Sequence, residues 1–481
     1  MEKAKTPSFI ISLALDTKPY SKEFLEKMYY AAFEVYNQLI TFAKKEYAKL
    51  LLDSEYKDSS GSKRTAIIKK YKLSTYDFEA YAKVLQKKYS KYLGSHIVQK
   101  LCARVADSVK AVLYKGGKQL HFKKLNDITT LEGKNNKTAL RFIDNQLIVS
   151  NFKINIKERD LNNPFYQEAL KHRVKYCRLV RKAFNKGFRY YVELVLEGTS
   201  PRKDIIGEGS SGIDIGTSTI ANTSKNNCIL EELAPKAKDY DKEIADIQRH
   251  MDNSKRISNP QNYNENGTIK KGKKTWTYSK TYYKLSWKLK ATYRKKSAYI
   301  KQSHNILAKK IIANCNVIYT EKMNFKALAK KSKETKRQEK ASSIQKKDGT
   351  VIEVHKYKKK KRFGKSITNR APSQLINTIK KKLTSQGGFF YEVNTQKFKA
   401  SQYNHIEDKC ISKKLYERSQ IINNHWIQRD LYSSFLLMNS NDNLETPNRD
   451  KCIESFDKFL ENHNKCIKEN KDKPHPKSFG F

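Results

Sequence analysis

The sequence predicts a multidomain protein of mixed α/β and α+β class: an N-terminal β-barrel split by a helical insertion, then a mixed α/β sheet with acids at its strand ends. Three observations predict it. In the first 205 residues, short alternating apolar runs flank a long stretch of helical periodicity. From Gly212 onward, apolar runs of strand length alternate with helical stretches. Three acids, Asp214, Glu321 and Asp430, each stand at the end or start of one such element.

In chain order, Ser8 to Leu15 reads as the first strand. Phe24, Leu25, Met28, Ala31, Ala32, Val35 and Leu39 then recur at three- and four-residue spacing, the mark of an amphipathic helix. After the polar break Ser59-Ser60-Gly61-Ser62, further helices reach Tyr114. Strands at residues 138–142, 146–149 and 188–196 follow, bounded by turn residues, and are expected to close a barrel with the first. The barrel is assigned to residues 1–20 plus 115–205 and the helical insertion to 21–114. A polar linker, residues 197–210, leads to strands at 213–220 and 228–233, helices at 243–252 and 282–312, and a strand at 317–321. A helix at 366–385 and a strand at 389–394 complete the pattern. A mixed sheet with acids on its strand ends is the ribonuclease H architecture, assigned to residues 206–397 plus 426–450. Residues 398–425 form a small insertion lobe, and the polar, Lys-rich stretch 451–481 reads as a frayed basic tail.

The 481 residues carry a formal net charge of +49, from 98 Lys and Arg against 49 Asp and Glu. Such a charge repels itself unless a polyanion neutralises it, so nucleic acid over a long footprint is the expected partner. With 29 Tyr and 21 Phe, the chain has apolar content enough to fold, which excludes a wholly disordered basic protein. Length and embedded acids count against a ribosomal protein, and no concentrated basic amphipathic helix points to a membrane surface. Seven cysteines at 102, 177, 228, 315, 410, 452 and 466 lack any Cys-x-x-Cys pair, as expected of reduced thiols in the cytoplasm. No apolar span approaches transmembrane length and Met1 to Ser12 lacks a signal-peptide layout, so a soluble cytoplasmic protein is expected.

The chemistry rests on the three acids. Asp214 lies in Ser-Gly-Ile-Asp-Ile-Gly-Thr-Ser-Thr, Glu321 closes Asn-Val-Ile-Tyr-Thr-Glu, and Asp430 stands in Gln-Arg-Asp-Leu-Tyr-Ser-Ser-Phe, where it can open a helix. Alone, each acid is most simply a cap or a surface charge. Together they suit two-metal phosphodiester cleavage, which needs hard oxygen ligands around ions about 3.5–4 Å apart. Asp214 is the candidate to bridge both Mg2+ ions, with Mn2+ as a substitute, and Glu321 and Asp430 complete the cage. Gly212 and Gly216 are expected to let a nucleic-acid backbone approach closely.

Gly-Ile-Asp-Ile-Gly-Thr, Tyr-Thr-Glu-Lys-Met-Asn-Phe-Lys-Ala-Leu and Gln-Arg-Asp-Leu-Tyr-Ser-Ser-Phe resemble the RuvC-like nuclease signature of the TnpB (OrfB) transposon proteins, shared by the type V CRISPR effectors. The resemblance covers residues 205–440; before residue 205 it is one of layout, with the split barrel similar to that family's wedge and recognition domains. It implies RNA-guided cleavage of DNA by one RuvC-like site, with Asp214, Glu321 and Asp430 matching the catalytic acids. The implied partners are a structured guide RNA and double-stranded target DNA bearing a short flanking motif, and a monomer is expected over a dimer. The family's zinc ribbon of two Cys-x-x-Cys pairs is missing. His405, Cys410 and His425 cannot supply four ligands at ribbon spacing, so no structural zinc is expected. Tyr403, Leu415, Tyr416, Ile421 and Trp426 are expected to hold that lobe instead. Candidate nucleic-acid contacts are Lys171, Arg173, Lys175, Arg178, Lys358, Lys359, Lys360, Arg362 and Arg429, mostly in two basic tracts. A guided repressor that does not cut, a guide-free nuclease or junction resolvase, and a strand-joining transposase are the alternatives.

Overall fold

The computed structural model describes residues 6–150, 152–201, 204–329, 339, 341–345, 350–355, 363–414 and 416–481. The chain divides into two compact units, residues 1–202 and 203–481.

In the first unit, β1 (Ser8–Ala14) leads into the 34-residue α1 (Pro19–Leu52), which begins on a proline whose fixed φ suits a first turn. Helices α2 (Ser54–Asp58), α3 (Gly61–Lys70), α4 (Thr75–Lys88) and α5 (Ser95–Tyr114) follow. Ser74 and Asp77 form a capping box that starts α4. Short strands come next: β2 (Thr130–Glu132), β3 (Leu140–Ile143), β4 (Gln146–Val149) and β5 (Phe152–Asn155). After α6 (Glu158–Leu161) and α7 (Pro164–Leu170), the long hairpin of β6 (Val174–Phe184) and β7 (Gly187–Glu197) closes the unit.

The expected barrel does not close. Among the described residues its strands form a four-stranded sheet, β1-β7-β6-β2, and a separate meander, β3-β4-β5, linked through the bridge Leu15 to Ile156. Met28, Tyr29, Ala32 and Val35 of α1 share one core with Leu13, Leu179, Val192 and Leu194 of the larger sheet. A sheet whose apolar face is covered by helices has no need to curl onto itself. For the same reason the helices of residues 21–114 are no separate body; they complete the core of the sheets.

The second unit is built on a five-stranded sheet, ordered β10-β9-β8-β11-β14. Strands β8 (Ser210–Ile215), β9 (Thr219–Ser224) and β10 (Asn227–Glu232) are antiparallel. Residues 213–220, expected as one strand, are in fact the hairpin between β8 and β9, turned where Gly216 N–H donates to the Thr219 carbonyl (2.9 Å). Helices α8 (Ala237–Ile257) and α9 (Lys280–Ile312) precede β11 (Val317–Glu321), which runs parallel to β8. After α10 (Phe325–Leu328) and a hairpin of β12 (Ser342–Gln345) and β13 (Val351–Val354) come α11 (Gly364–Arg370) and α12 (Pro372–Thr384). The helix expected at 366–385 is broken because Ala371 takes a left-handed conformation (φ 45°) before Pro372. Edge strand β14 (Phe389–Val393) is parallel to β11. Then come α13 (Thr395–Phe398), the hairpins β15 (Tyr403–Asn404) with β16 (Lys409–Cys410) and β17 (Ser419–Ile422) with β18 (His425–Gln428), and helices α14 (Arg429–Met438) and α15 (Arg449–Lys471).

Strand alternation splits this sheet into two faces. Ile213, Ile215, Ile220, Ile229 and Ile318 pack with Leu307 and Ile311 of α9 and Leu375 and Ile379 of α12. On the opposite face, Ala221, Leu230 and Val393 pack with Leu431, Phe435 and Leu436 of α14 and Phe456 and Phe459 of α15. The stretch read as a frayed tail is therefore mostly α15, a core helix capped by Asn448 and burying Cys452, Phe456, Phe459, His463, Cys466 and Ile467. Its apolar positions are spaced at three and four residues among lysines, which hid them in a reading by composition.

Candidate functional site

Glu321 ends β11, where the parallel register pairs Thr320 with Ile213. Continuing that register by one residue sets Asp214 beside Glu321 on the face covered by α14. Asp430 reaches the same place from the second residue of α14; Gln428, not Asp430, caps that helix, its side chain accepting from Leu431 N–H (2.7 Å). What brings α14 close is Gly212. A Cβ there would strike the backbone of Ser434 and Met438, so its bare Cα makes room for a helix, not for a nucleic-acid backbone as expected. The Thr223 and Ser434 hydroxyls share a hydrogen bond (2.7 Å) that pins α14 to β9.

The electrostatics follow from this crowding. The Asp214 carboxyl is held well above the usual carboxylate range, first by burial and then by the facing Asp430 and Glu321; Arg429 and Arg418 pull the other way. Burial also raises Glu321. Among the described residues, neither Asp214 nor Glu321 accepts a hydrogen bond or forms an ion pair. Asp430 differs. Its Oδ1 takes the Arg429 guanidinium (3.1 Å), and Arg418 lies 3.9 Å from its Oδ2. Among the described residues no group of three or more His, Cys, Asp or Glu is placed to hold a metal ion. The third carboxylate is turned toward arginines, which supply the positive charge its two neighbours lack. The unpartnered oxygens of Asp214 and Glu321 fit a hard divalent cation, and a cage including Asp430 requires it to exchange guanidinium for metal.

Arg429 is thus engaged within the site, also donating to the Glu417 carbonyl (2.9 Å). Sequence reasoning missed Arg418 because no local pattern links a residue in the insertion lobe to Asp430. Four other candidate contacts, Lys171, Arg173, Lys175 and Arg178, lie in the first unit. Lys171 pairs with Glu168 (2.5 Å), Arg173 with Glu197 (3.4 Å), and Lys175 donates to Thr6 Oγ1 (2.9 Å) and Ser8 Oγ (3.1 Å). Arg178 is half-buried on β6, paired with Glu132 (3.0 Å). That tract is a central strand, so alternate residues point inward: Arg181 is buried over the rings of Tyr29 (4.1 Å) and Phe188 (4.2 Å). Lys358, Lys359, Lys360 and Arg362 lie outside the described residues.

The insertion lobe is held only in part as expected: Tyr403 packs against the core under α14 and α15, but the other residues named do not carry it. Tyr416 and Ile421 are exposed and Trp426 lies at the surface, while Leu415 is outside the described residues. Phe398, Ala400, Ile422 and Ile427 root the lobe in the core under α14 and α15. His405 is fully buried there, packed against Phe456 (4.7 Å), Phe435 (5.8 Å) and Tyr432 (5.8 Å). Its Nδ1 shares a hydrogen bond with the Tyr432 hydroxyl (2.7 Å), which also accepts from His405 N–H. Arg449 donates to the His405 carbonyl (3.0 Å). Cys410 and His425 are exposed on separate hairpins.

No family model and no curated protein matches the chain. Solved structures similar to it include the following three. One is the cryo-EM structure of the Cas12f1–sgRNA–target DNA complex, at 11% identity and TM-score 0.45, covering 87% of this chain and 82% of that one. A second is a CRISPR-Cas12f ternary complex, at 12% identity and TM-score 0.28, covering 88% and 82%. The third is the mini-RNA-guided endonuclease CRISPR-Cas_phi3, at 13% identity and TM-score 0.31, covering 67% and 60%.

Proposed function

We propose that this chain is an RNA-guided DNA endonuclease whose single RuvC-like site uses Asp214, Glu321 and Asp430 to cleave phosphodiesters with divalent metal. The observation that carries the nuclease reading is the unpartnered, crowded pair Asp214 and Glu321 on adjacent parallel strands, with Asp430 converging from α14. Like charges gathered with no ion pair of their own are costly to a fold and useful to a cation site. The sheet order, three antiparallel strands followed by two parallel ones, supports a ribonuclease H-like frame. Magnesium bound to these carboxylates supplies charge neutralisation at the phosphate and an activated water. The chain's own groups orient that chemistry: β8 and β11 hold two carboxylates rigidly, and Arg429 and Arg418 steady the third while offering positive charge to a phosphate.

The guide is inferred from charge. A net +49 exceeds what one short DNA segment neutralises, and phosphate contacts alone hold DNA tightly without choosing a sequence. A structured RNA absorbs that charge and supplies specificity through base pairing. The test compares matched and mismatched plasmids in magnesium, with and without the RNA that copurifies from the native locus. Cutting of matched DNA only, and only with RNA, is expected. Equal cutting of both plasmids by RNA-free protein leaves a simple nuclease. Guided binding with no cutting leaves a repressor.

A further inference from the structure

Phe389 and Tyr391 sit on β14, an edge of the five-stranded sheet among the described residues, and are 59% and 38% exposed. They are not scattered surface rings. Tyr391 stacks on Tyr319 of β11 (centroids 5.5 Å apart, planes 25° apart), and Phe389 lies parallel to Tyr391 (6.4 Å, 6°). The register pairs Tyr319 with Tyr391, Val317 with Phe389 and Glu321 with Val393. Paired residues of parallel strands share a face, and so do residues two apart, so the three rings lie on the same face as Glu321 and Asp214. With a strand rise of ~3.3 Å and a strand spacing of ~4.8 Å, the backbone positions of Tyr391 and Phe389 fall ~8 Å and ~14 Å from that of Glu321. That is a row of aromatic faces leading away from the acids. The covering helix α14 packs over β8, leaving the rim of β14 open.

We infer that Phe389, Tyr391 and Tyr319 form a stacking platform for unpaired bases of the nucleic-acid strand presented to the acids. The occupant is a single strand. Every base has an apolar face that stacks on such rings without regard to sequence, whereas duplex bases are already stacked on each other. The overall charge of +49 and the exposed Lys322 beside Glu321 suit the polyanion such a strand carries, although Asp442 lies near Tyr319. A second copy of the chain pairing along the β14 edge is the competing occupant. The inference rests on the nuclease reading for the location of the cut, but binding to the rings does not require cutting.

The test uses the full-length purified chain in EDTA with a fluorescent dT20 strand and a matched 20-base-pair duplex. Roughly 0.5 M salt suppresses phosphate contacts and leaves stacking. Phe389→Ala and Tyr391→Ala should each weaken single-strand binding by about 5- to 150-fold, the range for loss of one base–ring stack, with duplex affinity unchanged. Phe389→Tyr and Tyr391→Phe should restore it. Bromouracil-substituted strand should photocrosslink to these two positions. Unchanged single-strand affinity in the alanine variants overturns the platform, as does an equal loss on duplex. So does a shift from dimer to monomer by sedimentation without loss of strand affinity, which assigns the edge to self-association. Asp214→Ala separates the two readings: it should abolish cutting and keep the platform. Persistent cutting by that variant sinks the nuclease reading and leaves the platform standing.

Discussion

The buried His405 makes the insertion lobe sensitive to acid in a way that can be calculated. Its ring is pushed down to about 4 from an ordinary 6.5, first by burial and then by Arg449. The neutral form is the one the fold accepts. A depressed folded value means the stability is fully present above pH 6.5 and is lost as pH falls toward 4. At pH 5 the unfolded chain binds nearly one more proton at this position than the folded one, which amounts to about 2 kcal/mol lost, approaching about 3 kcal/mol at lower pH. The groups facing the ring are Arg449, Tyr432, Phe435 and Phe456, with Cys452 and Tyr403 close to Tyr432. None of them turns into a carboxylate partner that would rescue a charged imidazole. His405→Phe keeps an aromatic ring in this pocket and leaves the Tyr432 hydroxyl accepting from the backbone N–H of residue 405. Urea midpoints of both proteins at pH 7.5 and pH 5.0 cancel every other titration, including that of His463. The wild-type protein should lose about 2 kcal/mol more than the variant between the two pH values. A difference below about 0.5 kcal/mol, or one of opposite sign, would refute the argument that the lobe is anchored by a neutral imidazole.

Three further outcomes follow from the same geometry. Asp214→Asn should abolish cleavage yet raise thermal stability at pH 7.5 without metal, because it removes a carboxylate disfavoured first by burial and then by the facing Asp430 and Glu321; magnesium should stabilise the wild-type protein, by about 2.7 kcal/mol at 100 times its dissociation constant, and not the variant. Calorimetry with and without magnesium checks both. Gly212→Ala forces a methyl group into the backbone of α14 and should cost at least about 1–3 kcal/mol in denaturant unfolding, with loss of activity from displacement of Asp430. Elemental analysis of the purified protein should find substoichiometric zinc, since the lobe is rooted by His405 and apolar packing; one bound zinc per chain would contradict this.

Local patterns carried much of the molecule. The run Val317–Glu321 was legible as a strand to the residue, because alternation over five positions needs no distant partner to be recognised. The placement of the three candidate acids was legible for the same reason: each lies within a residue of the end or start of its element. What the sequence could not show depends on residues far apart in the chain. Residues 171–182 read as a basic tract because Lys and Arg are interleaved with Tyr, Cys and Leu, and only the pairing of β6 with β7, the partner of β1, decided which of them turn inward. Gly212 looked like an opening for ligand until α14, more than two hundred residues later, filled the space above it. Arg418 enters the site, and the barrel stays open, because of packing between segments with no common periodicity. Composition and spacing thus determined the elements, the charge and the candidate acids. Tertiary contact alone decided which face each element buries, since that depends on what distant surface arrives to exclude water from it.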